Sequence, residues 1–210
     1  MHASAHPIDV PATYADLLNL PENVRGEIVD GELIVSPRPA MRHGRAATKL
    51  SGYLSGPFDD GIQGPGGWWI FSEPELHLRG EAFIPDIAGW RVETLPEMPE
   101  TAACEVAPDW VCEVLSPSTE RNDRVKKLAA YARHKVGHVW LLHPVHRTIE
   151  VLRREGDTWL IVMVYDGNGP LRAEPFEAVA LPVHLIWQAP AQPLAEESPA
   201  PGHGAAGDPP

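Results

Sequence analysis

DWVCEVLSPSTERNDRVKKLAAY, residues 109–131, decides the fold. Its opening reads as a short β-strand carrying Trp110, Cys112 and Val114 on one face and Val111 and Leu115 on the other, because side chains alternate along a strand. A strand apolar on both faces belongs in the middle of a covered sheet. Glu113 shares its face with Val111 and Leu115. A carboxylate placed there is costly unless it is paired, protonated or bound to a metal. The continuation SPSTERNDRVKKLAAYARHK reads as a helix, with Ser116 and Ser118 as entry caps and Glu120 close behind. On that helix Asp123, Lys127 and Tyr131 are spaced i, i+4, i+8 and so lie along one face.

Upstream, Thr13 with Asp16 resembles a capping box that opens a short helix stopping at Pro21. VRGEIVD and ELIVSP, joined at Asp30-Gly31, carry the signal of a tight hairpin. MRHGRAATKLSGYL reads as a helix with Leu50 and Leu54 on one side, and GPFDDGIQGPGG as a loop. WWIFSEPELHL, FIPDIAGWRV and DWVCEVLS are three strand candidates. Downstream, HVWLLHP is a compact buried strand, and TIEVLRREG and TWLIVMVYD form an antiparallel pair turning at Glu155-Gly156-Asp157. One helical crossover inside a run of strands predicts an α/β three-layer domain with a mixed sheet. The expected boundaries are a flexible lead-in over 1–11, the domain over 12–188, and a disordered Pro/Ala/Gly-rich tail over 189–210.

The chain has 210 residues, a hydrophobic share of 43%, and a net charge of -12 from 29 acidic and 17 basic side chains. It is long enough to bury one substantial core. Such an acidic surface repels nucleic acid at long range, so polyanion binding has to be local or metal-assisted. Two cysteines suggest no disulfide framework and fit a reducing compartment. No apolar run approaches the roughly 20 residues that span a bilayer. The opening MHASAHPIDVPATY carries no apolar signal-peptide core. Cytoplasm without membrane attachment is the expectation.

Pro85-Asp86 lies one strand before the strand of Glu113. If those strands are neighbours, the two acids project from one face near one end. Such a pair can hold a hard divalent cation, which keeps most of its waters and needs one or two protein oxygens. The cation would activate a water and polarise a phosphoryl oxygen, and a nearby lysine would support charge on the phosphate. Lys127 is placed to reach the pair if its helix packs beside that strand. The competing readings are plain ones. Asp86 is a strand-end acid after proline, Glu113 a buried acid bonded to a backbone donor or to a core lysine, and Lys127 the partner of Asp123 in a solvated i, i+4 ion pair. His143 and His146 lack the Cys/His partners of a structural zinc site. Arg121 and Arg124 fit phosphate steering and a solvated helix face equally well.

Pro85-Asp86, EVLSPST at 113–119 and the D-x3-K-x3-Y pattern at 123–131 together resemble the Uma-two restriction-endonuclease family, a branch of the PD-(D/E)XK nuclease superfamily. RGEIVDGELIVSPRPAMRHG, including Glu27, the Asp-Gly turn and His43, is similar to that family's opening, and the resemblance covers roughly residues 13 to 187. It implies a restriction-endonuclease-like fold with an αβββαβ core, flanked by N-terminal and C-terminal β-hairpins. Asp86 and Glu113 then match the metal-binding acids, for Mg²⁺ or Mn²⁺. The superfamily's lysine two residues after the second acid is replaced by Leu115, and Lys127 on the following helix matches instead, with Lys126 as the fallback. Glu27, His43, Asp123 and Tyr131 would support this set, although by their own pattern Glu27 reads as a solvated hairpin acid and His43 as a surface histidine of its helix.

The expected function is metal-dependent hydrolysis of phosphodiester bonds in DNA by a homodimer, since a duplex cutter must treat two strands. The alternative is a non-catalytic binding or oligomerisation module on the same fold. A third reading is a metal-dependent hydrolase of smaller phosphoesters. Lys127 pointing inward favours an enzyme, and a basic rim favours a nucleic-acid substrate.

Overall fold

The computed structural model describes residues 10–189. The expected lead-in and tail therefore lie, apart from Val10, Pro11 and Ala189, outside the described residues. Strands β1 (Val24–Val29), β2 (Glu32–Pro37), β3 (Trp68–Ser72), β4 (Glu75–Leu78), β5 (Glu81–Phe83), β6 (Ile87–Arg91), β7 (Ala103–Cys104), β8 (Trp110–Val114), β9 (His138–His143), β10 (Thr148–Glu155) and β11 (Thr158–Tyr165) build two sheets. The helices are α1 (Tyr14–Leu18), α2 (Met41–Leu54) and α3, the last made of Glu120–Asn122, a π-helical turn Asp123–Lys127 and Leu128–Arg133 in unbroken succession.

The larger, six-stranded sheet has the order β11-β10-β9-β8-β6-β3. β8 lies inside it, antiparallel to β6 and parallel to β9, and the parallel pair is joined through α3. Parallel neighbours need such a crossover. The succession α2-β3-β6-β8-α3-β9 gives the αβββαβ core, with β10 and β11 as the C-terminal hairpin. On one face of β8, Trp110, Cys112 and Val114 join a core with Leu50 and Leu54 of α2, Trp140 and Phe176. On the other face, Val111 and Leu115 pack with Ala130 and Tyr131 of α3 and with Val29, Leu76 and Phe83 of the smaller sheet. Both faces of β8 are covered, as its sequence requires.

The smaller, five-stranded sheet has the order β2-β1-β5-β4-β7. Its β1-β2 hairpin turns at Asp30 and Gly31, whose φ values of 56° and 73° match a type I′ turn. This second sheet corrects the reading of two strand candidates. WWIFSEPELHL is broken at Glu73-Pro74 into β3 and β4, and FIPDIAGWRV is broken around Pro85 between β5 and β6, so the chain changes sheets at both places. The reason is local. Proline donates no ladder hydrogen bond, and Glu73 has a φ of 51°. The loop expected over GPFDDGIQGPGG begins with a π-helical turn, Ser55–Asp59. Near the C-terminus of the domain a Leu171–Leu181 bridge and a 3₁₀ turn, Val183–Trp187, close the α2 side. No described helix is long and apolar enough to cross a membrane.

Candidate active site

β8 ends beside the point where the chain crosses from one sheet to the other, and this brings the expected acids together. The β6-β8 ladder pairs Ile87 with Cys112 and Ala88 with Val111. Continued by one step, it sets Asp86 opposite Glu113 on the α3 face. The Val114 N–H donates to Asp86 Oδ2 at 2.7 Å. Asp86 and Glu113 are both buried, and both line one cavity of about 280 Å³.

α3 delivers the lysine. Lys127 is 3% exposed, so the solvated ion-pair reading fails for it. Its Nζ stands 2.7 Å from Glu113 Oε1, 3.1 Å from Glu27 Oε1 and 3.6 Å from Asp123 Oδ1. Tyr131 donates its hydroxyl to the same Glu113 Oε1 at 2.5 Å, which leaves Oε2 outside both contacts. Asp123, Lys127 and Tyr131 thus form the expected ridge, with the first two bracketing the π-helical turn. Lys126, the fallback, pairs with Glu32 and does not line the cavity.

The smaller sheet contributes from β1. Glu27 accepts the Ile84 N–H at 2.9 Å besides facing Lys127. It is buried, not the solvated hairpin acid its strand suggested. Arg25, two residues earlier and so on the same face, reaches Asp86 Oδ1 at 3.4 Å and also donates to the Ile84 carbonyl. Sequence reasoning missed Arg25, although its i, i+2 relation to Glu27 was there to be read.

α2 contributes His43, which is 7% exposed where a surface histidine was the plainer reading. Its Nε2 lies 3.2 Å from Asp86 Oδ2. Its Nδ1 is buried and without a partner among the described residues. Ser116 and Ser118 make no side-chain cap. Their hydroxyls bond each other at the cavity wall, and the Ser116 carbonyl takes the N–H groups of Thr119 and Glu120. Arg124 is committed to Glu120 and Glu150, which removes it as a phosphate contact, and Arg121 is exposed and does not line the cavity.

The electrostatics of the two acids diverge. Burial pushes Glu113 up, and Lys127 opposes this, but Asp123, Asp86 and Glu27 add to it, so its carboxyl is raised from 4.5 to about 8. Asp86 is equally buried, yet the His43 contact, the Lys127 charge and the Val114 N–H outweigh burial and hold it below the usual carboxylate range. Burial also raises Asp123. Lys127 stays charged because Glu113 and Glu27 overcome its burial. A short ion pair coexists with a raised acid because burial and the neighbouring acids outweigh the Lys127 charge at Glu113. Four acids, Glu27, Asp86, Glu113 and Asp123, thus gather around two basic side chains, Arg25 and Lys127, a surplus of acidic groups.

That surplus, the hard oxygen donors and the orphaned His43 Nδ1 fit a divalent cation. Among the described residues no group of three His, Cys, Asp or Glu side chains is arranged to enclose a metal. A cation that keeps most of its water shell does not need one. His143 and His146 stack on each other, 3.9 Å between ring centroids, away from this cavity.

A family model described as "Uma2: Putative restriction endonuclease" matches residues 11–184. Among solved structures, a crystal structure described as a putative nuclease belonging to DUF820 from Anabaena variabilis superposes with a TM-score of 0.66 at 20% sequence identity, covering 84% of this chain and 98% of that one. The chain matches no curated protein. The structural likeness carries the restriction-endonuclease-like fold, and the family match spans nearly all of the two-sheet domain that holds the cavity. The chain belongs to the Uma2 family.

Proposed function

We propose that this protein is a metal-dependent nuclease that hydrolyses phosphodiester bonds in DNA, with Asp86 and Glu113 holding Mg²⁺ or Mn²⁺ and Lys127 completing the catalytic set. The observation that carries this reading is the meeting of two buried acids and a buried lysine, from separate elements, at the wall of one cavity. A divalent cation held there supplies a Lewis acid for the phosphoryl oxygen. Lys127 keeps a fixed positive charge where the phosphate gathers negative charge, and it orients the attacking water. Asp123 and Glu27 hold the lysine, Tyr131 holds Glu113, and His43 with Arg25 holds Asp86.

The test is plasmid nicking with Mn²⁺ or Mg²⁺, by wild type and by Lys127→Met, with a chelator control. Cleavage by wild type that the chelator abolishes, and that the variant loses by about 100-fold or more, is expected for loss of a preorganised charge. Intact DNA in every wild-type lane overturns the reading and leaves a non-catalytic module.

The same reading includes a homodimer. β11 is an edge strand of the larger sheet, free of charge and proline from Thr158 to Tyr165. It leaves Leu160, Ile161, Met163 and Val164 exposed, Val164 at 59%. An uncovered apolar edge of this length is a template for a second strand, and antiparallel self-pairing satisfies two-fold symmetry. Sedimentation should give a dimer that Ile161→Lys splits. A monomeric wild type rejects it. The two free cysteines fit the cytoplasm as compartment.

A further inference from the structure

The charge of this chain is unevenly spread. Between Glu32 and Asp59 there is no acidic residue, yet that stretch carries Arg38, Arg42, Arg45 and Lys49 in a protein with 29 acidic and 17 basic side chains. Arg42, Arg45 and Lys49 are spaced i, i+3, i+7 on α2, which places them along one side of the helix.

A second cavity of about 200 Å³ opens on that side. Arg42 and Arg45 line it from α2, Arg147 from the turn between β9 and β10, and Ile186 and Trp187 from the 3₁₀ turn. Neither Arg42 nor Arg147 has a carboxylate partner among the described residues, and both are exposed. Arg45 donates to the Gln188 carbonyl at 2.8 Å, a neutral partner that steadies the guanidinium without cancelling its charge. The Trp187 Nε1–H is buried with no partner among the described residues. Three uncompensated arginines around one concavity, beside an unpaired donor, make a site for an anion.

Its position says which anion. The first turn of α2 separates this cavity from the catalytic one: Ala40 and His43 line the catalytic cavity, while Arg42 and Arg45 line the arginine cavity. His43 and Arg45 are two residues apart, ~3 Å along the helix axis and about 200° around it, so the two cavities flank one turn of α2 from different sides. A strand whose scissile group enters the catalytic cavity has to pass around that turn to reach the arginines. With an overall charge of -12 working against it, binding must rest on a local basic site of this kind.

We infer that the cavity lined by Arg42, Arg45 and Arg147 binds a backbone phosphate of the nucleic acid whose scissile phosphodiester occupies the catalytic cavity. The inference rests on the nuclease reading for its substrate, but its test does not depend on cleavage. A fluorescent duplex is titrated in the presence of a chelator, over a range of salt concentrations, with wild type, Arg42→Ala/Arg45→Ala/Arg147→Ala and Arg42→Ala/Arg147→Ala. The double variant removes only exposed side chains and guards against a folding defect.

The alanine variants should bind about tenfold or more weakly, and the slope of log affinity against log salt should fall by about 1 for each phosphate no longer neutralised. Arg42→Lys/Arg147→Lys should keep most of that slope, since the charge remains. Unchanged affinity and slope in both alanine variants, or no DNA binding by wild type, overturns the inference. Nicking on the same samples separates the two proposals. Arginine-dependent binding without nicking keeps this subsite and rejects the nuclease reading. Nicking with arginine-independent binding does the reverse.

Discussion

The two faces of β8 are buried alike and are held by opposite physics. On the α2 side Trp110, Cys112 and Val114 meet aromatic and aliphatic neighbours, with Trp110 edge-on to Trp140 and to Phe176. On the α3 side Val111 and Leu115 flank Glu113, whose carboxylate is tied to Lys127 and Tyr131 and crowded by three further acids. The first face is stabilised by what it removes from water. The second keeps like charges together at a cost in stability, and that is the arrangement expected where a cation has to be received. Mutations on the two faces should therefore separate stability from function.

The largest effect on stability should come from the dry face. Trp110→Ala removes an indole that is wholly buried and should cost about 3–5 kcal/mol in urea denaturation. A cost below about 1 kcal/mol would break the contrast. Lys127→Met comes next, at about 3 kcal/mol, because it strands carboxylates that a buried cation had balanced. Proton uptake by Glu113 limits that loss.

The smallest change in stability should come from Glu113→Gln, within about 1 kcal/mol of wild type, since the variant relieves repulsion while losing one ion pair. Its signature is in pH. Glu113 titrates near 4.5 when unfolded and at about 8 when folded. Between those values the folded protein holds the extra proton, so stability falls as pH rises through that window. The contribution is complete below the lower value and gone above the upper one. Urea midpoints across this range, in metal-free buffer, should decline more steeply for wild type than for Glu113→Gln. Parallel curves would mean that the acid is not raised.

Much of this was legible in the chain. The alternation in Trp110–Leu115 fixed both faces of β8, Asp30-Gly31 fixed the hairpin, and the spacing of Asp123, Lys127 and Tyr131 placed the ridge that meets Glu113. What local pattern could not carry was contact between distant segments. The breaks at Pro74 and Pro85 send one run of strand-forming residues into two sheets, and only the resulting second sheet brings Arg25 and Glu27 to the cavity. His43 reads as a surface residue by composition and is buried because α2 packs its first turn against Asp86. The π-helical turn between Asp123 and Lys127 leaves no mark on hydrophobic periodicity.

The most direct test of the site is calorimetric titration of Mn²⁺ into metal-free wild type and Glu113→Gln, both confirmed as folded. Saturable binding by wild type that the variant loses, with its fold intact, is the predicted result. Equal binding by both proteins, or none by either, would contradict the assignment of Asp86 and Glu113 as the metal-holding pair.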